Sequence, residues 1–283
     1  MGDSMSLFKG IKIYDEDSGT YKGLHFNDVS PQICAQDYLH ALAEGDISGH
    51  EPWDHLGYTA GATTSETDVW AGAAAYVFPT AAAAMRCVGG AQDNASGTGA
   101  KTIRIYYLDA DYAERTTDVV LTGATPVNTS VSNIYRVNSV LIRDWGSGGT
   151  TYKAAGNIDV YHASAATVYS RILAGSTRSR NAIYTVPNGK TLYITSVTIG
   201  ITKGGNTGIA ATITLRSNYS ATLGLLTPGL HFIPLAEMNH LDGAFYRPFE
   251  MPIVCPQLTD IKVSVTAAQA STVVTCALRG WLE

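Results

Sequence analysis

The sequence predicts an all-β protein: two tandem antiparallel, jelly-roll-like β-sandwich modules preceded by an N-terminal arm with one short helix. Three observations carry this prediction. Short runs rich in Val, Ile, Thr and Tyr follow one another, broken by Gly, Asn and Asp. No helical pattern separates them, which indicates antiparallel sheets rather than a parallel one. Three short phrases also recur in the same order at an offset of about 110 residues, the usual size of a sandwich of seven or eight strands. The chain's 283 residues are enough for two such cores.

The arm comes first, over residues 1–50. It holds the acidic run "YDEDSG" and the segment "SPQICAQDYLHALAEGD". There Ser30 is a natural N-cap and Pro31 suits the first helical position, where its missing N–H is harmless. Ile33, Cys34, Tyr38, Leu39 and Leu42 recur at helical spacing and Gly45 stops the run, so a helix is expected over about 30–44. The strand-like segments follow: "KTIRIYYL", "TDVVLTG", "IYRVNSVLI", "GNIDVYHA", "KTLYITSVTIGIT" and "AATITLRS". Among them lie the recurring phrases. "YVFP", ending at Pro79, is echoed by "YTVP", ending at Pro187. "GTGAKTIRIYY", with Thr102, is echoed by "NTGIAATITLR", with Thr212. "IYRV", with Arg136, is echoed by "FYRP", with Arg247. The expected modules are therefore 51–165 and 166–283.

Composition narrows the function. Apolar residues make up 45% and charged residues 15%, against about a quarter charged in an ordinary soluble domain, so part of the surface is expected to face other protein. A formal net charge of −5 speaks against binding duplex nucleic acid, which requires a basic face. No apolar run reaches the roughly 18 residues of a membrane helix. The opening "MGDSMSLFKG" lacks the pattern of a signal peptide and fits a myristoylation signal poorly. Cys34, Cys87, Cys255 and Cys276 lie far apart without CxxC spacing, as expected of buried thiols rather than metal ligands.

Each chemical candidate fails a specific requirement. "GTGAKT" separates Gly99 from Lys101 by Ala100 and runs into a strand. A phosphate loop needs glycine directly before lysine and a helix behind it. Asp109 and Asp111 lack the glycine and later oxygen ligands of a calcium loop and read as a turn. In "HEPWDH" the second histidine falls one residue too late for the zinc-protease pattern, and Pro52 spoils the helix. No nucleophile elbow is present. Neither a catalytic residue, a metal nor a cofactor is expected. The expected interface residues are His50, Trp53 and His55, which can pack together and respond to pH, with Arg171, Arg178 and Arg180 of "RILAGSTRSR".

Several of these phrases resemble virion structural proteins of tailed bacteriophages. The similarity runs over about residues 46–200. It is carried by Gly49, His50, Gly57, Tyr58, Trp70, Pro79, Gly97, Gly99, Leu108, Asp109, Tyr112, Pro187, Gly189 and Lys190, with departures at Leu56, Val69 and Ala71. The resemblance implies a non-enzymatic virion component assembled in the bacterial cytoplasm, in the first place a capsid decoration or cement protein. Its partners would be the major capsid protein, copies of itself in a trimer, and other virion proteins, with neither nucleic acid nor membrane. The alternative is a tail or fibre component that binds a host-surface receptor such as glycan.

Overall fold

The computed structural model describes residues 12–15, 20–23, 38–72, 75–149, 152–203, 208–220, 222–241 and 243–283. The chain is all-β with one short helix, and its sheets are antiparallel. It forms two compact units, Met1–Asp46 and Ile47–Glu283.

In the first unit, β1 (Lys12–Asp15) pairs with β2 (Thr20–Gly23), and α1 spans Tyr38–Glu44. The N-cap expected at Ser30, with Pro31, Ile33 and Cys34, lies outside the described residues. The predicted stop is present. Gly45 takes φ +80° and donates its N–H to the Leu42 carbonyl, while Asp46 N–H reaches back to Ala41, the paired bonds of a Schellman cap.

The second unit opens with β3 (Glu51–Ala62) and β4 (Thr67–Asp68). Seven strands follow: β5 (Met85–Val88), β6 (Ala100–Leu108), β7 (Glu114–Val120), β8 (Val127–Asn128), β9 (Arg136–Trp145), β10 (Ile158–His162) and β11 (Val168–Ile172). They form sheets ordered β11-β10-β5-β8 and β7-β6-β9. Inward residues of both sheets, among them Met85, Cys87, Val160 and Ile172 from one and Ile103, Ile105, Val119 and Val140 from the other, share one core. This is the first β-sandwich.

The rest of the chain supplies β12 (Ile183–Thr185), β13 (Leu192–Thr202), β14 (Ala211–Ser217), β15 (Tyr219–Ser220), β16 (Gly224–Leu225), β17 (Ile233–His240), β18 (Gly243–Cys255), β19 (Asp260–Ala267) and β20 (Thr272–Leu282). One sheet runs β12-β19-β14-β17, with β4 also on β19, and the other runs β18-β13-β20-β3. Their inner faces close over a second core that includes Ile194, Ile199, Ile213, Leu215, Val263 and Leu278.

The second sandwich therefore also takes residues that sequence analysis placed in 51–165. β3 pairs with β20 along its length, from Glu51↔Leu282 to Ala62↔Thr272, and β4 pairs with β19. The first sandwich is an insertion between β4 and β12. The recurring phrases divide accordingly. "GTGAKTIRIYY" and "NTGIAATITLR" both lead into interior strands, β6 and β14. Arg136 and Arg247 do not correspond: β9 pairs with β6, whereas β18 pairs with β13 in the opposite sheet from β14.

Arg136 joins the two sandwiches. Its guanidinium is fully buried and grips Asp260 with Nε and Nη2 at 2.9 and 3.1 Å, while Nη1 donates to the Pro79 carbonyl at 2.6 Å. The rings of Phe78, Tyr112 and Tyr135 surround it. Asp260 also accepts from Thr185 Oγ1 and the Gly229 N–H, both at 2.6 Å. Pro79, Tyr112 and the phrase "YTVP" thus meet at one buried ion pair. Such a pair is fully compensated only while every partner remains in place.

Candidate functional site

Beside the glycine-rich loop, backbone N–H groups from three segments converge on one of the chain's own carboxylates. Asp93, fully buried, accepts N–H bonds from Gly90 and Ala100 at 2.8 Å, Ala155 at 2.9 Å and Gly156 at 3.0 Å. A Cβ at Gly99 would collide with this carboxylate, and one at Gly97 with the Gln92 carbonyl, so both positions need glycine for close approach. The aspartates downstream make the expected turn. Asp109 accepts from the N–H groups of Asp111 and Ala113 at 3.1 and 3.0 Å and from Arg115 Nε at 3.0 Å, with Tyr112 at φ +59°. Partial burial opposes its ionisation, but these bonds outweigh it and hold the carboxyl below its ordinary pKa. The turn also meets the second sandwich, where Asn188 N–H bonds the Tyr112 carbonyl at 3.0 Å.

Two surface features stand out. The first is a groove of about 1120 Å³ between β3 of the second sandwich and the outer face of the β7-β6-β9 sheet of the first. Its floor contains Trp53, His55 and Tyr184, and its walls include Tyr106, Ser139, Leu141 and Trp145. Ion pairs cluster here, and two of them, Arg178–Asp54 and Lys190–Glu114, link the sandwiches. Arg178 meets Asp54 at 3.2 Å, and Lys190 meets both Glu51 of β3 and Glu114 of β7 at 2.8 Å. Lys190 is partly buried, which disfavours its charge, yet the two carboxylates hold its pKa above the ordinary lysine value.

Of the expected interface residues, Trp53, His55 and Arg178 come together in this groove. Trp53 and His55 are buried in its floor, at 8% and 6% exposure, so each offers little contact area. Their rings stack 5.6 Å apart, with Tyr184 edge-on to both. His55 Nε2–H donates to the Ile183 carbonyl at 2.9 Å, and burial depresses its pKa to about 4, which keeps the imidazole neutral. The other three stand apart. His50 lies 3.7 Å from the Glu283 carboxylate, and Arg180 sits over the Tyr58 ring. Arg171 bonds Asp159 on the neighbouring strand, with Nη2 to Oδ2 at 2.8 Å. Arg178 and Arg180 are drawn to β3 because residues 177–180 run between two strands: Ser179 N–H bonds Val140 of β9, and the Arg180 carbonyl accepts from Tyr58 of β3.

The second feature is the open side of the second sandwich, where β17 and β18 each end their sheets. Eleven large apolar side chains are exposed among the described residues, and four of them, Leu241, Tyr246, Met251 and Val254, lie on or beside β18. Tyr246 is 61% exposed and Met251 83%. Core residues Leu235, Phe245, Phe249 and Ile253 are only partly covered along the same side. Opposite β13, the register of β18 jumps from Pro248↔Ser196 to Ile253↔Ile194, so 249–252 bulges out and carries Met251 on its crest. Pro234, Pro248 and Pro252 lie in these two strands, where a missing N–H discourages pairing with a foreign strand. The sequence marks this feature only weakly. Its available signal was "GAFYRPFEMPIVC", whose two prolines mark an edge strand and whose apolar residues occupy both faces.

Among the described residues, no group of three or more His, Cys, Asp or Glu is placed to hold a metal ion, and no helix is long and apolar enough to cross a membrane. No protein-family model matches the chain. No curated protein matches it either. Among solved structures, the chain is similar to that of infectious bursal disease virus, Gt strain, at 11% identity and a TM-score of 0.21, over 83% of this chain and 70% of that one. A likeness at that level carries no argument about function.

Proposed function

We propose that the protein is a non-enzymatic structural component of a bacteriophage particle, a decoration or cement protein that stabilises the shell by bridging major-capsid subunits. The observation that carries this reading is the apolar, proline-guarded open side of the second sandwich. The four exposed side chains on or beside β18, Leu241, Tyr246, Met251 and Val254, amount to roughly 500 Å² at about 200 Å² for a fully exposed large side chain, over half of one partner's share of a standard interface. An apolar patch of this size is often a functional contact surface. The bacteriophage assignment itself rests on the sequence resemblance. Self-association as a trimer fits the same reading, since closed rings suit the local threefold positions of a shell. The test is cryo-electron microscopy of particles that contain the protein, compared with particles reconstituted with Met251→Glu. Density on the shell at wild type and its loss in the variant are expected. Density confined to the tail, or undiminished in the variant, refutes the proposal.

A second reading is a tail or fibre component that binds a host-surface receptor such as glycan. The groove between the sandwiches favours it.

A further inference from the structure

We infer that the groove between the two sandwiches is a binding site for a neutral oligosaccharide. The inference deepens the second reading above, although it does not require the protein to sit on a tail. Four properties of the groove point to this ligand class.

The first is charge. Asp54 and Glu114 are matched by Arg115 and Arg178, and Arg178 already pairs with Asp54. A phosphate, a nucleic acid or a polyamine would find no net complementary field, whereas a polyhydroxylated ligand needs donors and acceptors together. The second is geometry. Ion pairing restrains these groups: Arg115 Nε is 3.0 Å from Asp109, and Lys190 clasps Glu114 at 2.8 Å. Their hydrogen-bonding atoms are therefore partly ordered before a ligand arrives, which lowers the cost of binding a flexible chain of sugars.

The third is the apolar component. Tyr106, 38% exposed on the outer face of β6, and Trp145 on β9 offer aromatic rings against which the C–H faces of a sugar can pack. An apolar peptide would bury these charged and hydroxyl-bearing walls against groups unable to satisfy them, a cost that a saccharide avoids. The fourth is size and place. At about 1120 Å³ the groove exceeds the roughly 300–1,000 Å³ of pockets for drug-sized ligands and has room for several sugar rings, and it lies at a module junction, where ligand sites concentrate.

The experiment is titration of the full-length protein with a panel of neutral tri- to hexasaccharides of glucose, galactose, mannose and N-acetylglucosamine. Isothermal calorimetry and ligand-observed NMR report binding, and acidic oligosaccharides and an apolar peptide serve as comparators. At least one neutral member is expected to bind with a Kd between about 10 µM and 1 mM. Tyr106→Ala and Asp54→Asn should each weaken it about tenfold or more while melting at the wild-type temperature. Met251→Glu, on the opposite edge of the β18-β13-β20-β3 sheet from the groove, should leave it unchanged. The proposal is overturned if no neutral member binds at about 10 mM, if only the acidic sugars or the peptide bind, or if both groove variants bind like wild type. Saccharide binding by a protein located on the shell would retain this inference and remove the tail position, so the two can fail separately.

Discussion

Replacing Asp260 with Ala tests whether the ion pair at the sandwich junction governs stability. The substitution leaves the Arg136 guanidinium buried with the Pro79 carbonyl and the surrounding rings as its main partners. Breaking a buried pair from one side costs about 3–5 kcal/mol, because a charge is stranded. The Thr185 hydroxyl and Gly229 N–H lose their 2.6 Å acceptor as well, each worth about 1–3 kcal/mol before relaxation. A net loss of about 5 kcal/mol is expected, comparable to the whole stability of a marginal domain. Arg136→Met should cost less, about 3 kcal/mol, since the carboxylate keeps its other donors. The double variant strands no charge and should cost about 5 kcal/mol rather than the sum of the two, a coupling of about 3 kcal/mol. Urea denaturation followed by tryptophan fluorescence measures all four corners of the cycle. Costs that add to within about 0.5 kcal/mol would refute the coupling and with it the role assigned to this pair.

Three further outcomes are expected. His55 has a folded pKa of about 4 against 6.5 when unfolded, so the unfolded chain binds the extra proton between those values. Stability should be fully present above about pH 6.5 and fall by about 3 kcal/mol as pH drops to about 4; His55→Gln should remove that part of the slope, and an unchanged slope in the variant counts against a buried neutral imidazole. Met251→Ala and Tyr246→Ala should change the stability of the isolated protein by no more than about 0.5 kcal/mol while weakening its association with copies or partners. Analytical ultracentrifugation and urea melts together test this, and a loss of stability without loss of association reverses the assignment. Cys87, Cys255 and Cys276 are buried, and burial pushes each thiol up to about 12. They should resist Ellman's reagent at pH 8 in the native state and react in urea, and rapid native labelling of all three would contradict their burial.

What the sequence reveals depends on how far apart the relevant partners lie. "KTIRIYYL", "IYRVNSVLI" and "KTLYITSVTIGIT" are read correctly as strands because alternation and β-branching are local properties. Gly45 is read correctly as a helix stop for the same reason. β3 was expected in the first module, since alternation shows that one face is buried but not against which sheet. Its partner β20 lies at the far end of the described chain. Arg136 attracted notice only as an echo of Arg247. Its role depends on Asp260, 124 residues away, and on rings from three separate segments. Trp53, His55 and Arg178 were singled out as a possible contact and do share a groove, but the two rings form its floor. Tyr106, whose exposed ring is the more available surface, looked like an ordinary strand residue.

The pairing of β3 with β20 also constrains how the chain can be made. During synthesis β3 leaves the ribosome about 210 residues before the strand it will pair with. At about 5–20 residues per second, it waits on the order of 10–40 s while the first sandwich emerges and can close on its own. Through that interval Trp53, His55 and the rest of the inward face of β3 have no sheet to join. The order of translation thus favours a first sandwich that matures early and a second that assembles only once β20 has emerged. A ribosome stalled after β11 and before β20 should hold one folded sandwich beside an unpaired strand, a state in which chaperones, or the β3 segments of neighbouring nascent chains, have access to it.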